Sequence, residues 1–252
     1  MSDRRLEAYV TYTHIEEKKS EVGGGRLGRH VDRRDSFQRR HVDATQTPPP
    51  PTTTVNWERL CPPFDQGALG SCTGNATAGA LMTVPLHQPG WNFNETDAVK
   101  IYEQATQFNP PGEQYPPNDD GSSGPCIADA LEKDGIVATS VHATQLTPML
   151  GLLTLGPLIF GLDWYTSFDT PLASGECALA PGATVRGGHE VEAFGVDPVT
   201  KMVWFYQSWG ETWGGLGNGT FCLAFETLDR LFLEGGDATS FTLTSPVPAP
   251  NF

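Results

Sequence analysis

Helix-forming segments occupy the first half of the chain and strand-forming segments the second, and this order limits the folds open to it. Helices are predicted at Ser71–Thr83, Glu95–Phe108 and Ile127–Lys133. Strands are predicted at Leu158–Trp164, His189–Val196, Met202–Ser208 and Gly219–Phe225, before a last helix at Glu226–Leu233. This segregation predicts an α+β protein, with a helical lobe followed by an antiparallel β lobe, rather than a doubly wound sheet.

The N-terminal part differs in composition from the rest. Residues 1–47 show no sustained periodicity beyond an alternating stretch, Ala8–Ile15, that predicts one short strand. A basic segment, Arg26–Arg40, follows, and Pro48–Thr54 predicts an extended, polyproline-like spacer. We therefore divide the chain into an extended basic N-terminal arm (1–47), a Pro/Thr-rich linker (48–54) and a globular domain (55–252).

Charge is unevenly shared between these parts. Residues 1–54 hold 10 of the 16 lysines and arginines and 8 of the 30 acidic residues, so residues 55–252 hold 6 basic and 22 acidic side chains. A body with this excess of negative charge repels nucleic acid and anionic membranes. Nucleic acid is therefore not expected as a partner of the body.

No membrane span is predicted. The longest uncharged apolar stretch, Met149–Leu162, is too short for a bilayer and is interrupted by Gly151, Gly156 and Pro157. It is better interpreted as a buried strand with the turn before it. The first residues do not resemble a secretory leader, so we expect the protein to be cytoplasmic when synthesised.

The cysteines give little sign of a metal site or disulfide framework. The chain has five, with no C-x-x-C spacing, so free thiols are expected and neither a metal nor another cofactor is predicted. Cys72 differs from the others because it stands between a glycine-punctuated loop and a predicted helix. A helix N-terminus favours the thiolate and makes it more nucleophilic.

Other residues could complete a nucleophilic site around Cys72. Its backbone N–H and the side chain of Gln66 could stabilise an oxyanion. His189, predicted at the start of a distant strand, could supply the base. A side-chain amide beyond His189 could orient its imidazole.

Three segments, in order, resemble the papain family of cysteine peptidases. Asp65–Cys72 reads D-Q-G-A-L-G-S-C, Gly188–Val191 reads G-H-E-V, and Gln207–Gly214 reads Q-S-W-G-E-T-W-G. The resemblance covers about residues 55–243 and is of the bacterial or bacteriophage type. It implies a papain-like two-lobe fold and hydrolysis of protein or peptide substrates.

The resemblance also implies individual roles. Cys72 attacks the scissile carbonyl, and His189 shares its proton in a resting thiolate–imidazolium pair. Gln66 and the Cys72 amide stabilise the oxyanion. Trp209 shields the hydrogen bond between the base and its orienting residue.

Two further positions, Gly121 and Ser122, would pair with the substrate backbone. The segment 120–123 lies where bacterial-type members place the glycine-rich edge of the substrate groove. This part of the resemblance concerns binding rather than the reaction itself.

The sequence departs from the family at two site positions. Gln207 replaces the orienting Asn, which leaves open whether the enzyme is active, weak or inactive. Glu190 follows the base where the family usually has a small residue, which predicts a preference for Arg or Lys at the second substrate position before the cut. The alternative is that Glu190 turns away or pairs with Arg186.

Three functions remain open on the sequence alone. The first is a papain-like cysteine endopeptidase. The second is a weak or inactive structural protein of a bacteriophage particle, docked through its N-terminal arm onto other virion proteins or another copy. The third is a cell-wall peptide amidohydrolase. The basic segment of the arm suits an acidic neighbour, and such a protein would be virion-associated.

Overall fold

A computed structural model describes residues 27–29, 43 and 45–250. The helices are α1 Cys72–Leu81, α2 Glu95–Thr106, α3 Gly124–Lys133, α4 Leu146–Leu152 and α5 Phe225–Leu233. The strands are β1 Val55–Asn56, β2 Val137–Ala143, β3 Leu158–Tyr165, β4 Val185–Asp197, β5 Met202–Tyr206, β6 Thr220–Ala224 and β7 Asp237–Leu243.

One sheet joins all seven strands through antiparallel pairs. Its order is β2-β7-β3-β4-β5-β6, and β1 pairs with β4. β4 is the longest strand, with 13 residues, and it pairs with β1, β3 and β5. It therefore forms the centre of the sheet.

Two hydrophobic cores account for the two lobes. One lies among α1, α2 and α3, and the other among the strands, α4 and α5. Every residue of α1 is buried. Gly74 allows α1 to approach α2 closely, because a Cβ there would come within 2.2 Å of the Ala98 carbonyl oxygen. The helical lobe thus packs around the helix that begins at Cys72.

The predicted α+β class with two lobes is confirmed, and some elements differ from the predictions. The segment Met149–Leu162, predicted as a turn and a strand, begins inside helix α4 and ends in β3. His189 lies inside β4 rather than at a strand start. β2 and β7 were not predicted: each mixes polar and apolar residues, and they form largely by pairing with each other.

Some predictions concern residues that the structure does not describe. The strand predicted at Ala8–Ile15 lies outside the described residues. Residues 48–54 are described, but the domain boundary placed there stays a prediction. In the described part of the chain, no helix has the length and apolar character needed to cross a membrane.

A buried ion pair connects β4 to the segment before α1. Arg59 Nη1 donates to Glu192 Oε2 at 2.9 Å, and the two side chains are only 3% and 1% exposed. Thr83 Oγ1 donates to the other oxygen, Oε1, at 2.5 Å. Burial raises the pKa of Glu192, while Arg59 and Thr83 lower it. The pair holds the loop segment against the centre of the sheet.

We predict that Arg59→Ala lowers the free energy of unfolding by about 3–5 kcal/mol, because the Glu192 carboxylate is left buried without its cation. Denaturant unfolding followed by circular dichroism measures this change. Arg230→Ala is the matched control, since Arg230 pairs with Glu234 with its own side chain 54% exposed, and it should cost far less than Arg59→Ala. Equal costs for the two variants would contradict the prediction.

Candidate active site

Cys72 is the first residue of α1 and is fully buried. The turn before it is braced by Asn75, whose Nδ2 donates to Ser71 O and Ser71 Oγ, both at 3.0 Å. Backbone groups of Glu190, Gly28 and Thr73 act to lower the pKa of the Cys72 thiol. The sulfur therefore lies at the helix mouth, beside β4.

His189 is held by Gln207. His189 Nε2 lies 2.5 Å from Gln207 Oε1, and the Ser208 backbone N–H donates to the same oxygen at 2.8 Å. A backbone N–H only donates, so the shared atom is an acceptor and His189 Nε2 must carry the proton. In a neutral imidazole Nδ1 is then an acceptor. It is buried and has no hydrogen-bond partner among the described residues.

Aromatic rings enclose His189. Trp209 stacks on the imidazole with centroids 5.2 Å apart, and Trp164 meets it edge-on at 5.2 Å. Both indoles are almost fully buried. The two rings therefore keep water away from the hydrogen bond between His189 and Gln207. Shielding this bond is the role that the family resemblance implies for Trp209.

Burial decides the charge state of the two central groups. Burial, together with the nearby Glu190 carboxyl, raises the pKa of Cys72 to about 12 despite three backbone hydrogen bonds that lower it. Burial also lowers the pKa of His189 to about 3, against the raising effect of Gln207. Both shifts favour the uncharged forms, because burial opposes the effect of the helix N-terminus. They run against the resting ion pair that the family resemblance implies, and that pair stays a prediction.

Gln66 links the loop before α1 to the segment after β5. Its backbone N–H donates to Ser208 O at 3.0 Å, and its Oε1 accepts from Ser208 Oγ at 2.6 Å. Its Nε2 donates to Leu69 O at 2.8 Å. Gln66 is thus buried and fixed between the loop that ends at Cys72 and the segment that carries Gln207.

Gly121 and Ser122 are rigidly held opposite β4. The Gly121 N–H bonds Tyr102 Oη at 3.1 Å, and its carbonyl accepts from Asn109 Nδ2 at 2.7 Å. Ser122 Oγ donates to Asn109 Oδ1 at 2.9 Å. The Ser122 backbone N–H takes no part in these bonds with Asn109 and Tyr102. It donates to Gly28 O at 2.8 Å.

Glu190 faces a cluster of charges that sequence reasoning did not assemble. The Arg29 guanidinium pairs with Asp237. Desolvation by burial is the largest influence on the Arg29 pKa and lowers it, but the nearby Asp237, Glu190 and Asp163 together raise the pKa. Burial and Asp237 hold the pKa of Glu190 well above its usual range. Arg186, the partner considered from sequence, pairs with Asp169 at 3.0 Å.

The structure brings several predicted residues together: Gln207 and Trp209 contact His189, and Gln66 bonds the residue after Gln207. The predicted set comprises Cys72, His189, Gln207, Gln66, Gly121, Ser122, Glu190 and Trp209. Sequence reasoning missed Asp237, Asp163 and the segment Leu27–Arg29. The only signal for the last was the basic charge of the arm beside an acidic body. In the described residues, no cluster of three or more His, Cys, Asp or Glu side chains could hold a metal ion.

Solved structures with the same fold are cysteine proteases. Xylellain from Xylella fastidiosa aligns with a TM-score of 0.57 at 18% identity, over 86% of this chain and 96% of that one. Procathepsin L2 from Tenebrio molitor larvae aligns with a TM-score of 0.61 at 15% identity, over 86% and 78%. The Carica candamarcensis protease CMS1MS2, solved with E-64, aligns with a TM-score of 0.55 at 13% identity, over 76% and 99%.

The chain has the papain-like two-lobe fold. At these identities the likeness concerns the fold and carries no substrate or residue role. No family model and no curated protein matches the chain.

We predict that His189 stays in the neutral tautomer with the proton on Nε2 from pH 8 to pH 5, because its pKa is lowered to about 3. Two-bond ¹H–¹⁵N spectra of ¹⁵N-histidine protein, assigned with His189→Gln, measure this state. An imidazolium pattern at pH 6 would contradict it.

Proposed function

We propose that this protein is a papain-like cysteine endopeptidase in which Cys72 and His189, oriented by Gln207, hydrolyse peptide bonds. The observation that carries the proposal is the hydrogen bond of 2.5 Å between His189 Nε2 and Gln207 Oε1. It fixes the imidazole in the tautomer whose Nδ1 can accept a proton. The thiol at the mouth of α1 is the group that would supply that proton.

The two groups would react as a neutral thiol and a neutral base. As Cys72 Sγ attacks the carbonyl carbon, its proton passes to His189 Nδ1, and a tetrahedral intermediate forms. The imidazolium then protonates the leaving amine and the acyl thioester remains. Water, deprotonated by the same Nδ1, releases the acid and returns the thiol. Gln207 holds the charged imidazolium throughout by accepting from Nε2.

Gln66 and the Cys72 backbone N–H would stabilise the oxyanion. Gln66 Nε2 carries two N–H donors. One donates to Leu69 O, and the other would donate to the substrate oxygen. Preorganised donors of this kind contribute about 2.7–4 kcal/mol to lowering the barrier. The Gln66 backbone stays fixed by Ser208.

Gly121 and Ser122 would bind the substrate backbone. The Ser122 N–H already holds a peptide carbonyl, that of Gly28. Asn109 and Tyr102 bond the Gly121 backbone, and Asn109 also accepts from the Ser122 hydroxyl. Glu190 would lie beside the pocket for a substrate side chain. Trp209 would act only by covering the base.

A structural role in a bacteriophage particle is the second candidate, and the filled cleft favours it. Leu27–Arg29 lies against the candidate nucleophile, and the thiol and imidazole are both neutral. A protein with this role would dock through its arm onto virion proteins and need no turnover. The third function, hydrolysis of cell-wall peptides, uses the same groups, and zymography on casein and cell-wall gels separates it from the first.

We expect the purified chain to cleave a peptide library and to be alkylated at Cys72 by an epoxide or vinyl-sulfone inhibitor, with the modified residue located by mass spectrometry. Cys72→Ala should abolish both signals, and Cys126→Ala is the matched control because Cys126 is also a buried thiol near a helix start. Absence of cleavage and alkylation in every arm variant described below would refute the proposal.

Gln207→Leu should lower kcat/KM by about a hundredfold, because the new side chain has a similar shape but no acceptor for His189 Nε2. The loss should fall mainly on kcat, since Gln207 is placed behind the base rather than against the substrate. Steady-state kinetics of a released arm variant measure this. An unchanged kcat would show that Gln207 does not position the base.

A further inference from the structure

A segment of the chain's own arm lies in the cleft between the two lobes. Gly28 O accepts from the Ser122 N–H at 2.8 Å, and the Arg29 N–H donates to Gly188 O at 2.9 Å. Leu27 and Arg29 are only 7% and 6% exposed. The three residues thus bridge the helical lobe and β4, close to Gly70 in the loop that ends at Cys72.

The cleft fits this segment with little space to spare. A Cβ at Gly121 would come within 1.8 Å of Gly28 O, and one at Gly188 within 2.2 Å of Arg29 O. From the other side, a Cβ at Gly28 would come within 2.2 Å of Gly70 O. Both the wall and the occupant therefore need glycine at the points of closest approach.

Arg29 extends from this backbone into an acidic pocket. Its Nη2 pairs with Asp237 Oδ1 and donates to Gly235 O at 3.0 Å. The side chain is 1% exposed, and the carboxyl groups of Glu190 and Asp163 lie near it. Gly161 opens the path, since a Cβ there would come within 2.4 Å of Arg29 Nε. The pocket holds the guanidinium through Nη2, while Nε and Nη1 are buried with no hydrogen-bond partner among the described residues.

The backbone of the segment is held by the helical lobe. The Gly28 carbonyl oxygen accepts from the Ser122 N–H. The bridge between Arg29 and Ser122 is parallel.

We propose that the pocket of Asp237, Glu190 and Asp163 is a receptor for an arginine side chain, filled here by Arg29 in cis, so that the arm and an arginine-bearing peptide compete for one cleft. This proposal rests on the proposed function in one respect, namely that arginine-bearing peptides are substrates. Binding of the arginine side chain itself requires no catalysis.

Electrostatics explain why the occupant must be arginine. Removing the guanidinium leaves Asp237 beside Glu190 in a largely buried pocket, which disfavours any peptide without a cation at that position. Lysine is one bond shorter, and both bonds that reach Asp237 and Gly235 come from the terminal Nη2. The tethered arm has an effective concentration on the order of millimolar, so it fills the cleft until it is displaced or removed.

The binding test uses the full chain carrying Gly28→Val and Cys72→Ala, which excludes the arm from the cleft by sterics and prevents turnover. The probe is a fluorescent peptide of residues 25–32, compared with the same peptide carrying citrulline at the position of Arg29. We expect the arginine peptide to bind at least about tenfold more tightly. Asp237→Asn should remove this difference, and Glu190→Gln should reduce it less.

The release test compares the wild-type full chain with Arg29→Gln and Gly28→Val. Both variants should cleave an arginine-bearing peptide at least about tenfold faster and be alkylated faster at Cys72, while the surface control Arg230→Ala should match the wild type. The rate of peptide cleavage per enzyme molecule should not change when the protein is diluted. A wild-type rate that rises on dilution would assign the arm to another copy and overturn the cis proposal.

The two proposals fail separately. If no variant cleaves any peptide but arginine is still selected over citrulline, the peptidase proposal fails and the receptor proposal stands. If the variants cleave peptides but arginine and citrulline peptides bind equally, the receptor proposal is refuted and the peptidase proposal stands. Melting curves of each variant show whether it is folded before it is compared.

Discussion

The structure depends on how two buried carboxyl groups of β4 meet their cations. Glu190 and Glu192 are two residues apart, so the pleat directs both to the same face of the strand, while His189 points to the other. An isolated charge in that position is costly. Glu192 pairs with Arg59, whereas Glu190 lies near Arg29 with no hydrogen-bond partner for either oxygen among the described residues, and its pKa is held well above its usual range. Arg59 fixes the segment before α1, and Arg29 brings the arm into the cleft. One strand thereby holds the domain together and attracts the arm.

The same burial determines the state of the chemical groups. Cys72 and His189 are both removed from water, and each keeps the uncharged form for that reason. The helix N-terminus and the backbone donors favour a thiolate, but burial outweighs them. In the proposed enzyme, water or a substrate in place of Leu27–Arg29 would reduce this burial. The arm would then control both access to the thiol and its reactivity.

Much of the fold and of the site could be predicted from the sequence because the signals were local. Helix and strand periodicity gave the order of the lobes, and the loop before Cys72 gave the helix mouth. β2 and β7 were missed because they are stabilised by strand pairing, β7 with both β2 and β3, rather than by a strong pattern of their own. α4 was hidden in an apolar run that is long enough for a turn and a strand. Asp237 was missed because nothing near it in sequence marks a pocket.

The sequence by itself determined which residues could do chemistry: a cysteine at a helix start, a distant histidine, and an amide followed by Ser-Trp-Gly. Only the tertiary structure decided that Gln207 reaches His189, because that depends on the spacing between β4 and the end of β5. It also decided which acidic residues the basic arm contacts. Arg29 lies against its own chain, in a pocket that includes Asp237 and Glu190. These two residues come from separate strands, and only the folded sheet brings them together.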